Sequence, residues 1–220
     1  MSSVRQNYEK SLLELQENIL KMGGLVERAI ANSVDSLSKQ DVALAEDVIA
    51  RDDEIDEMTS HVEEYCIRLI ATQQPLAKDL RRIITAIKIS TDLERIADYA
   101  VDIARVTRRI GTKTLIKPLI DIPRMTVIIQ RMVHEALDAY VREDVNLAKK
   151  LAQDDDEVDK IHGLIFKELL SFMIKEPDNI SQAASLLFVS KHLERIGDHA
   201  TNLGESVIYL VTGEREELNS

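Results

Sequence analysis

Pairs of acidic residues spaced four apart are the residues of this chain best suited to chemistry, and they are duplicated. Two eight-residue segments, 93–100 and 193–200, share six residues, and each contains one such pair. A second acidic cluster at 52–56 recurs at 155–159. The four pairs are Asp52/Asp56, Glu94/Asp98, Asp155/Asp159 and Glu194/Asp198. Residues four apart lie on one face of a helix, so each pair presents two carboxylates together.

Carboxylates stacked in this way favour a cation between them. Like charges at this spacing destabilise an isolated helix by roughly 0.2–0.5 kcal/mol per pair. Carboxylate-rich sites suit hard cations such as Mg, Mn or Ca, and they also suit oxo- or hydroxo-bridged ferric iron. The eight acids are therefore predicted metal ligands. The alternative, which the residues leave open, is a solvated face with Arg95 and Arg195 as counter-charges.

Catalytic machinery is not evident in the sequence. It contains no nucleophile arrangement, no Gly-rich phosphate loop and no nucleotide motif. The single Cys66 excludes a Cys/His zinc site, and the five His residues lack the Glu-x-x-His spacing of ferritin-type bundles. We predict no catalytic residues, no organic cofactor site and no enzymatic activity.

The segments that contain the acidic pairs have apolar residues at the spacing typical of amphipathic helices. Apolar residues recur every three to four positions over about 8–38, 44–69 and 76–109, with Arg51 as the one intruder in the second segment. The second half repeats this layout at an offset of 103 and then of 100 residues. Short loops between long helices make neighbours antiparallel. The predicted fold is all-α, with six helices in two tandem antiparallel three-helix bundles related by internal duplication.

Glycine and proline suggest the boundaries. Gly111 is a helix stop signal, and Pro118 and Pro123 bound a linker. Gly23 and Gly24 inside the first helix predict a kink or a close helix approach. The charged end of the chain is predicted to fray. The resulting division is bundle 1 at 1–110, linker at 111–122, bundle 2 at 123–213 and charged tail at 214–220.

Charge and hydropathy limit the partners and the cellular compartment expected for this protein. The formal net charge of −11 disfavours nucleic acid and anionic lipid as partners. One Cys fits a reducing compartment, the start resembles no signal peptide, and no run of about 18 apolar residues occurs. These features predict a soluble cytoplasmic protein without membrane insertion.

Two motif-bearing segments, 92–98 and 192–202, resemble those of the PhoU family of phosphate-signalling regulators, as do residues 80–83 and 88–89. The resemblance covers most of the chain. It implies two tandem three-helix bundles, a homodimer, and multinuclear metal clusters on the acid-x-x-x-acid motifs, reported with iron or zinc. Tyr99 stands where the second copy has His199, and Asp102 where it has Asn202, so the two metal sites are expected to differ.

The resemblance also implies a regulatory function. Such a protein restrains phosphate-specific uptake and starvation signalling when phosphate is plentiful, through contacts with the transporter ATPase subunit and the phosphate-sensing histidine kinase. Iron is the preferred metal, with zinc, manganese or magnesium as alternatives. Two rival hypotheses are a metal-storage or metal-buffering bundle and an inert helical scaffold.

Overall fold

The structure is a computed structural model that describes residues 3–219, and that part of the chain is helical and contains no β-strand. The first half contains four α-helices, and the second contains three with a short 3-10 helix, Pro177–Asn179, before the last. The helices are α1 (Ser3–Lys39), α2 (Val42–Ala50), α3 (Asp52–Gln73), α4 (Ala77–Ile110), α5 (Asp121–Arg142), α6 (Val145–Lys175) and α7 (Ile180–Thr212). The predicted all-α fold of two three-helix bundles is confirmed, with α2 and α3 together forming the second helix of the first bundle.

The turn after the first helix of each bundle is built twice in the same way. Gln40 and Glu143, 103 residues apart, both adopt left-handed backbone, with φ of 53° and 51°. Asp41 then accepts a hydrogen bond from the backbone N–H of Leu44, and Asp144 accepts one from that of Leu147. An Asp at this position satisfies a backbone donor that the helix leaves unpaired. The duplication therefore extends to local backbone geometry.

The two copies differ at Arg51, the intruder in the apolar pattern. This residue separates α2 from α3, with φ of −92° and ψ of 0°, whereas α6 passes through the corresponding Asp154 without interruption. The sequence predicted one continuous helix here, and the break falls at the one residue that interrupts its apolar period.

The bundles share one hydrophobic core. Helix α4 packs along α7, and α1 packs along α5. A Cβ on Gly23 would overlap Cδ1 of Leu137 in α5. The predicted close helix approach at this glycine is therefore present, between helices of different bundles.

The connection and the tail differ from expectation in detail. The linker is two residues shorter than predicted, because α5 begins at Asp121. In the part that the structure describes, the tail contacts α7. The backbone N–H of Leu218 donates to Glu205 at 2.8 Å, and the Leu218 side chain packs beside Gly204. No described helix is both long and apolar enough to cross a membrane.

Candidate metal centres

Each bundle brings its two acid pairs to one place between neighbouring helices. The first acid tetrad comprises Asp52 and Asp56 of α3 with Glu94 and Asp98 of α4. The second acid tetrad comprises Asp155 and Asp159 of α6 with Glu194 and Asp198 of α7. In both tetrads the carboxylates interact electrostatically across the helix seam. All eight predicted residues therefore belong to one of two acidic groups, each spread along a helix seam.

Burial and the neighbouring charges raise the pKa values of several of these acids. In the first tetrad, burial followed by the charges of Asp56 and Asp98 raises the pKa of Asp52. Burial and then Asp98 raise the pKa of Glu94. Because each charge disfavours the others, the tetrad gains stability from any cation that neutralises it.

The second tetrad is the more enclosed. Burial, then the charges of Asp159, Asp198 and Glu194, raise the pKa of Asp155 to about 7. The Glu194 side chain is 14% exposed, against 24% for Glu94 in the first tetrad. Burial is also the leading cause that raises the pKa values of Asp159 and Asp198. The two candidate centres are therefore electrostatically unequal.

A single glycine accounts for part of this inequality. A Cβ on Gly197 would lie 2.9 Å from Oδ1 of Asp155, so a side chain there would push the carboxylate outward. The first bundle has Ala97 at the same position, and Asp52 is the less buried acid. The sequence displays this difference within the duplicated motif, but it does not reveal which acid the glycine faces.

The donor set fits a hard cation, although the carboxylates are not drawn together. Within residues 3–219, no three Asp, Glu, His or Cys side chains converge closely enough to hold a metal ion. Oδ1 of Asp52 and Oδ1 of Asp155 are buried without a hydrogen-bond partner. Buried acceptors normally have partners, so both atoms are suited to receive a cation or a donor. The basic neighbours Arg95 and Arg195 lie 3.2 and 3.3 Å from Asp98 and Asp198, so the tetrads are partly neutralised by the protein itself.

The residues expected to distinguish the two sites lie elsewhere, on the seam between α4 and α7. Nδ1 of His199 lies 2.9 Å from Oδ1 of Asp92, and the Asn202 amide lies 3.4 Å from the same oxygen. The Tyr99 ring stacks obliquely between His192 and His199, with ring centroids 5.7 Å from each. These contacts join the bundles, a role that the sequence did not suggest for them.

Cys66 has the surroundings of a structural thiol. It is fully buried on α3, where its Sγ lies 3.8 Å from the backbone oxygen of Ile83. Burial raises the pKa of the thiol to about 12. A thiol in this state is a poor nucleophile and a poor metal ligand.

The PhoU domain family model matches the chain twice, over residues 19–107 and 122–207. The chain belongs to the PhoU family. A phosphate-specific transport system accessory protein PhoU homolog of Clostridium acetobutylicum is 43% identical over 216 residues, which cover 98% of this chain and 99% of that relative. A homolog of the same description from Aquifex aeolicus is 42% identical over 205 residues, or 93% of each chain.

Solved PhoU structures have the same fold. PhoU from Pseudomonas aeruginosa aligns with a TM-score of 0.90 at 38% identity, covering 94% of this chain and all of that one. The phosphate transport system regulatory protein PhoU from Streptococcus pneumoniae aligns with a TM-score of 0.89 at 28% identity, covering 96% and 99%. Both PhoU domains of this chain contain an acid tetrad, within the matched residues.

Proposed function

We propose that this chain is a non-enzymatic, cytoplasmic regulator of phosphate homeostasis. It restrains phosphate-specific uptake and phosphate-starvation signalling when phosphate is plentiful. The observation that carries the proposal is the pair of PhoU domains, together with near-full-length relatives named as accessory proteins of phosphate-specific transport. A helical bundle acts in this role through its surfaces, which agrees with the absence of catalytic motifs in the sequence.

The decisive test is a deletion strain grown in excess phosphate. Phosphate uptake and starvation-gene expression should rise in the deletion strain and return to normal on complementation with the wild-type chain. Unchanged uptake and expression, in a strain from which any paralogue has also been deleted, would contradict the proposal.

The regulator is proposed to contact the transporter ATPase subunit and the sensor histidine kinase, and to form a homodimer. Surface features support protein contacts. Phe166, Leu170 and Ile174 are exposed apolar side chains spaced four apart on α6. Such clusters of exposed apolar residues mark interaction sites more often than chance allows. Light scattering should give about twice the chain mass of 24.9 kDa, and a monomer mass at cellular concentration would reject the dimer.

Metal binding at the two acid tetrads is part of the same proposal. The proposed ligands are the eight carboxylates of the two tetrads. Iron is the preferred ion, with zinc, manganese or magnesium as alternatives. A bound cation would offset the mutual repulsion of the carboxylates in each tetrad. It would thereby couple the helices of each seam, α3 to α4 and α6 to α7.

Calorimetric titration of chelator-treated protein with ferrous iron, performed anaerobically, tests this part. Glu194→Gln with Asp198→Asn should remove binding at the second tetrad. The control, Asp53→Asn with Glu57→Gln, neutralises two exposed acids four apart on α3 outside the tetrad. Equal binding by both double variants would reject the assignment. Saturation at one centre per bundle supports regulation, whereas many ions per chain would support metal storage instead.

A further inference from the structure

A cavity of about 250 Å³ lies beside the break between α2 and α3. Side chains of α1, α2, α3 and α4 line it, and two of them, Arg28 and Arg51, are basic. At about 30 Å³ per molecule in the liquid, this is the space of roughly eight waters. The cavity therefore has room for a small organic molecule.

The second bundle shows what occupies the corresponding place there. Asp154, the counterpart of Arg51, is 8% exposed, and its Oδ1 accepts a hydrogen bond from Arg131 at 2.7 Å. Lys150 lies 3.8 Å from the same carboxylate and 2.7 Å from Glu135. A buried carboxylate thus completes an ion-pair network between α5 and α6.

The first bundle lacks this carboxylate but keeps the arginine. Arg28 corresponds to Arg131, yet it makes no hydrogen bond or ion pair with any residue that the structure describes. Arg51 turns instead to Asp47, one turn earlier, at 2.9 Å. Arg28 is exposed and lines the cavity together with Arg51, whereas its counterpart Arg131 has an acid as its partner. The Arg28 guanidinium is therefore open to an anion.

Two apolar positions of the lining are smaller than in the second bundle, although Ile55 and Ala97 are larger than their counterparts Val158 and Gly197. Ala29 stands where the second bundle has Met132, and Val48 stands where it has Leu151. Met132 and Leu151 are fully buried. The shorter side chains leave apolar space next to the missing carboxylate.

We propose that this cavity binds a small organic acid, with its carboxylate at Arg28 and Arg51 and a short branched aliphatic body against Ala29 and Val48. The ligand would replace the carboxylate of Asp154 and the outer atoms of Met132 and Leu151. This proposal does not depend on the phosphate-regulatory function.

The acidic residues of the lining leave it less negative than the corresponding positions of the second bundle. Asp47, Asp52 and Glu54 line the cavity together with the two arginines and Asn32, so these positions carry a net charge of −1. Their counterparts in the second bundle, which include Asp154, carry −2. One bound carboxylate therefore gives the first bundle the charge that the second bundle holds permanently.

A titration followed by ¹H–¹⁵N NMR on the full chain tests the proposal, with isovalerate as the probe. Backbone amides of Ala29, Val48 and Arg51 should shift in a saturable manner. Isovaleramide, which has the same shape without the charge, should bind at least tenfold more weakly. Equal affinity of the amide, a response to inorganic phosphate but not to isovalerate, or no saturable shift at these residues would overturn the proposal.

Two substitutions separate ligand binding from a general effect on the fold. Arg28→Gln should weaken isovalerate binding at least tenfold, whereas Arg142→Gln, an exposed arginine on α5, should leave it unchanged. Arg51→Asp combined with Asp47→Lys places the acid and the lysine of the second bundle at the corresponding positions, so this double variant should abolish binding and raise the melting temperature. Wild-type affinity in folded Arg28→Gln or Arg51→Asp/Asp47→Lys protein would contradict the assignment.

Discussion

The two acid tetrads contain the same residue types, but one backbone position makes their surroundings different. Gly197 leaves room for the Asp155 carboxylate to pack against α7, whereas Ala97 stands at the same position in the first bundle. Burial of a carboxylate disfavours its charged form. The glycine therefore tunes the charge of the second tetrad without being a ligand itself.

Substituting this glycine should release the carboxylate. Gly197→Ala is expected to lower the pKa of Asp155 from about 7 toward the ordinary range, as measured by NMR titration of the side-chain carboxyl. Gly163→Ala is the control, because a Cβ there meets nothing within 4 Å. The control should gain about 1 kcal/mol of helix stability, and Gly197→Ala should gain less. An unchanged titration of Asp155 in Gly197→Ala would contradict this account.

The raised pKa of Asp155 also predicts a pH dependence of the metal-free protein. The folded chain holds the proton up to about pH 7, whereas an unfolded Asp releases it near pH 4. The folded state binds more protons between these values, so the contribution of Asp155 to stability falls as pH rises from about 4 to about 7.

Asp155→Asn should remove this contribution. Denaturant unfolding should show the variant more stable than wild type by on the order of 2 kcal/mol at pH 8, and equally stable near pH 4. Glu64→Gln, which neutralises an exposed acid on α3 of the other bundle, should show no such pH-dependent gain. A stability difference that is constant across this range would refute the pKa assignment.

At the scale of single helices, the contact between α1 and α5 is set by adjacent glycines with different neighbours. A Cβ at Gly23 would overlap the Leu137 side chain, whereas one at Gly24 meets nothing within 4 Å. Gly23 is therefore required by the packing of α1 against α5. Gly24 has no such role and lowers helix stability relative to alanine.

The two alanine variants should move stability in opposite directions. Gly23→Ala should destabilise by about 1–3 kcal/mol, because helices or side chains must shift to admit the methyl group. Gly24→Ala should stabilise by about 1 kcal/mol through helix propensity. Urea unfolding measures both, and stabilisation by Gly23→Ala would show that α1 and α5 are free to separate.

At the scale of the whole molecule, the duplicated bundles behave structurally as one body. Most of their buried side chains form one core that spans both bundles, and the seam between α4 and α7 adds the contact between Asp92 and His199. Leu218 of the tail packs against the second bundle near Gly204. Halves joined in this way are expected to unfold together.

Calorimetry should therefore show one cooperative transition for the full chain. Ile30→Ala in the first bundle and Leu186→Ala in the second, both fully buried, should each destabilise the whole chain by about 2–5 kcal/mol and lower that single transition. Lys167→Ala, on an exposed position of α6, should leave it unchanged. Two separate transitions, each sensitive to only one of the core substitutions, would show independent bundles.

Much of the architecture follows from the sequence alone, because it depends on spacing along a helix. The period of the apolar residues predicted the helices, and the repeat predicted two bundles. The four-residue spacing is enough to place Glu94 beside Asp98 on one helix face. The helix break at Arg51 was not predicted, although that residue interrupts the apolar period.

Contacts between helices could not be predicted in the same way, because they depend on side chains that are distant in sequence. Only the tertiary structure assembled the pairs into two tetrads and buried the second more deeply beside Gly197. It placed His199 on Asp92, at the seam between bundles, rather than at a metal centre. It also left Arg28 without the acid that its counterpart has. Spacing determines neighbours within a helix, whereas the volumes and charges packed between helices determine which groups meet and how much water reaches them.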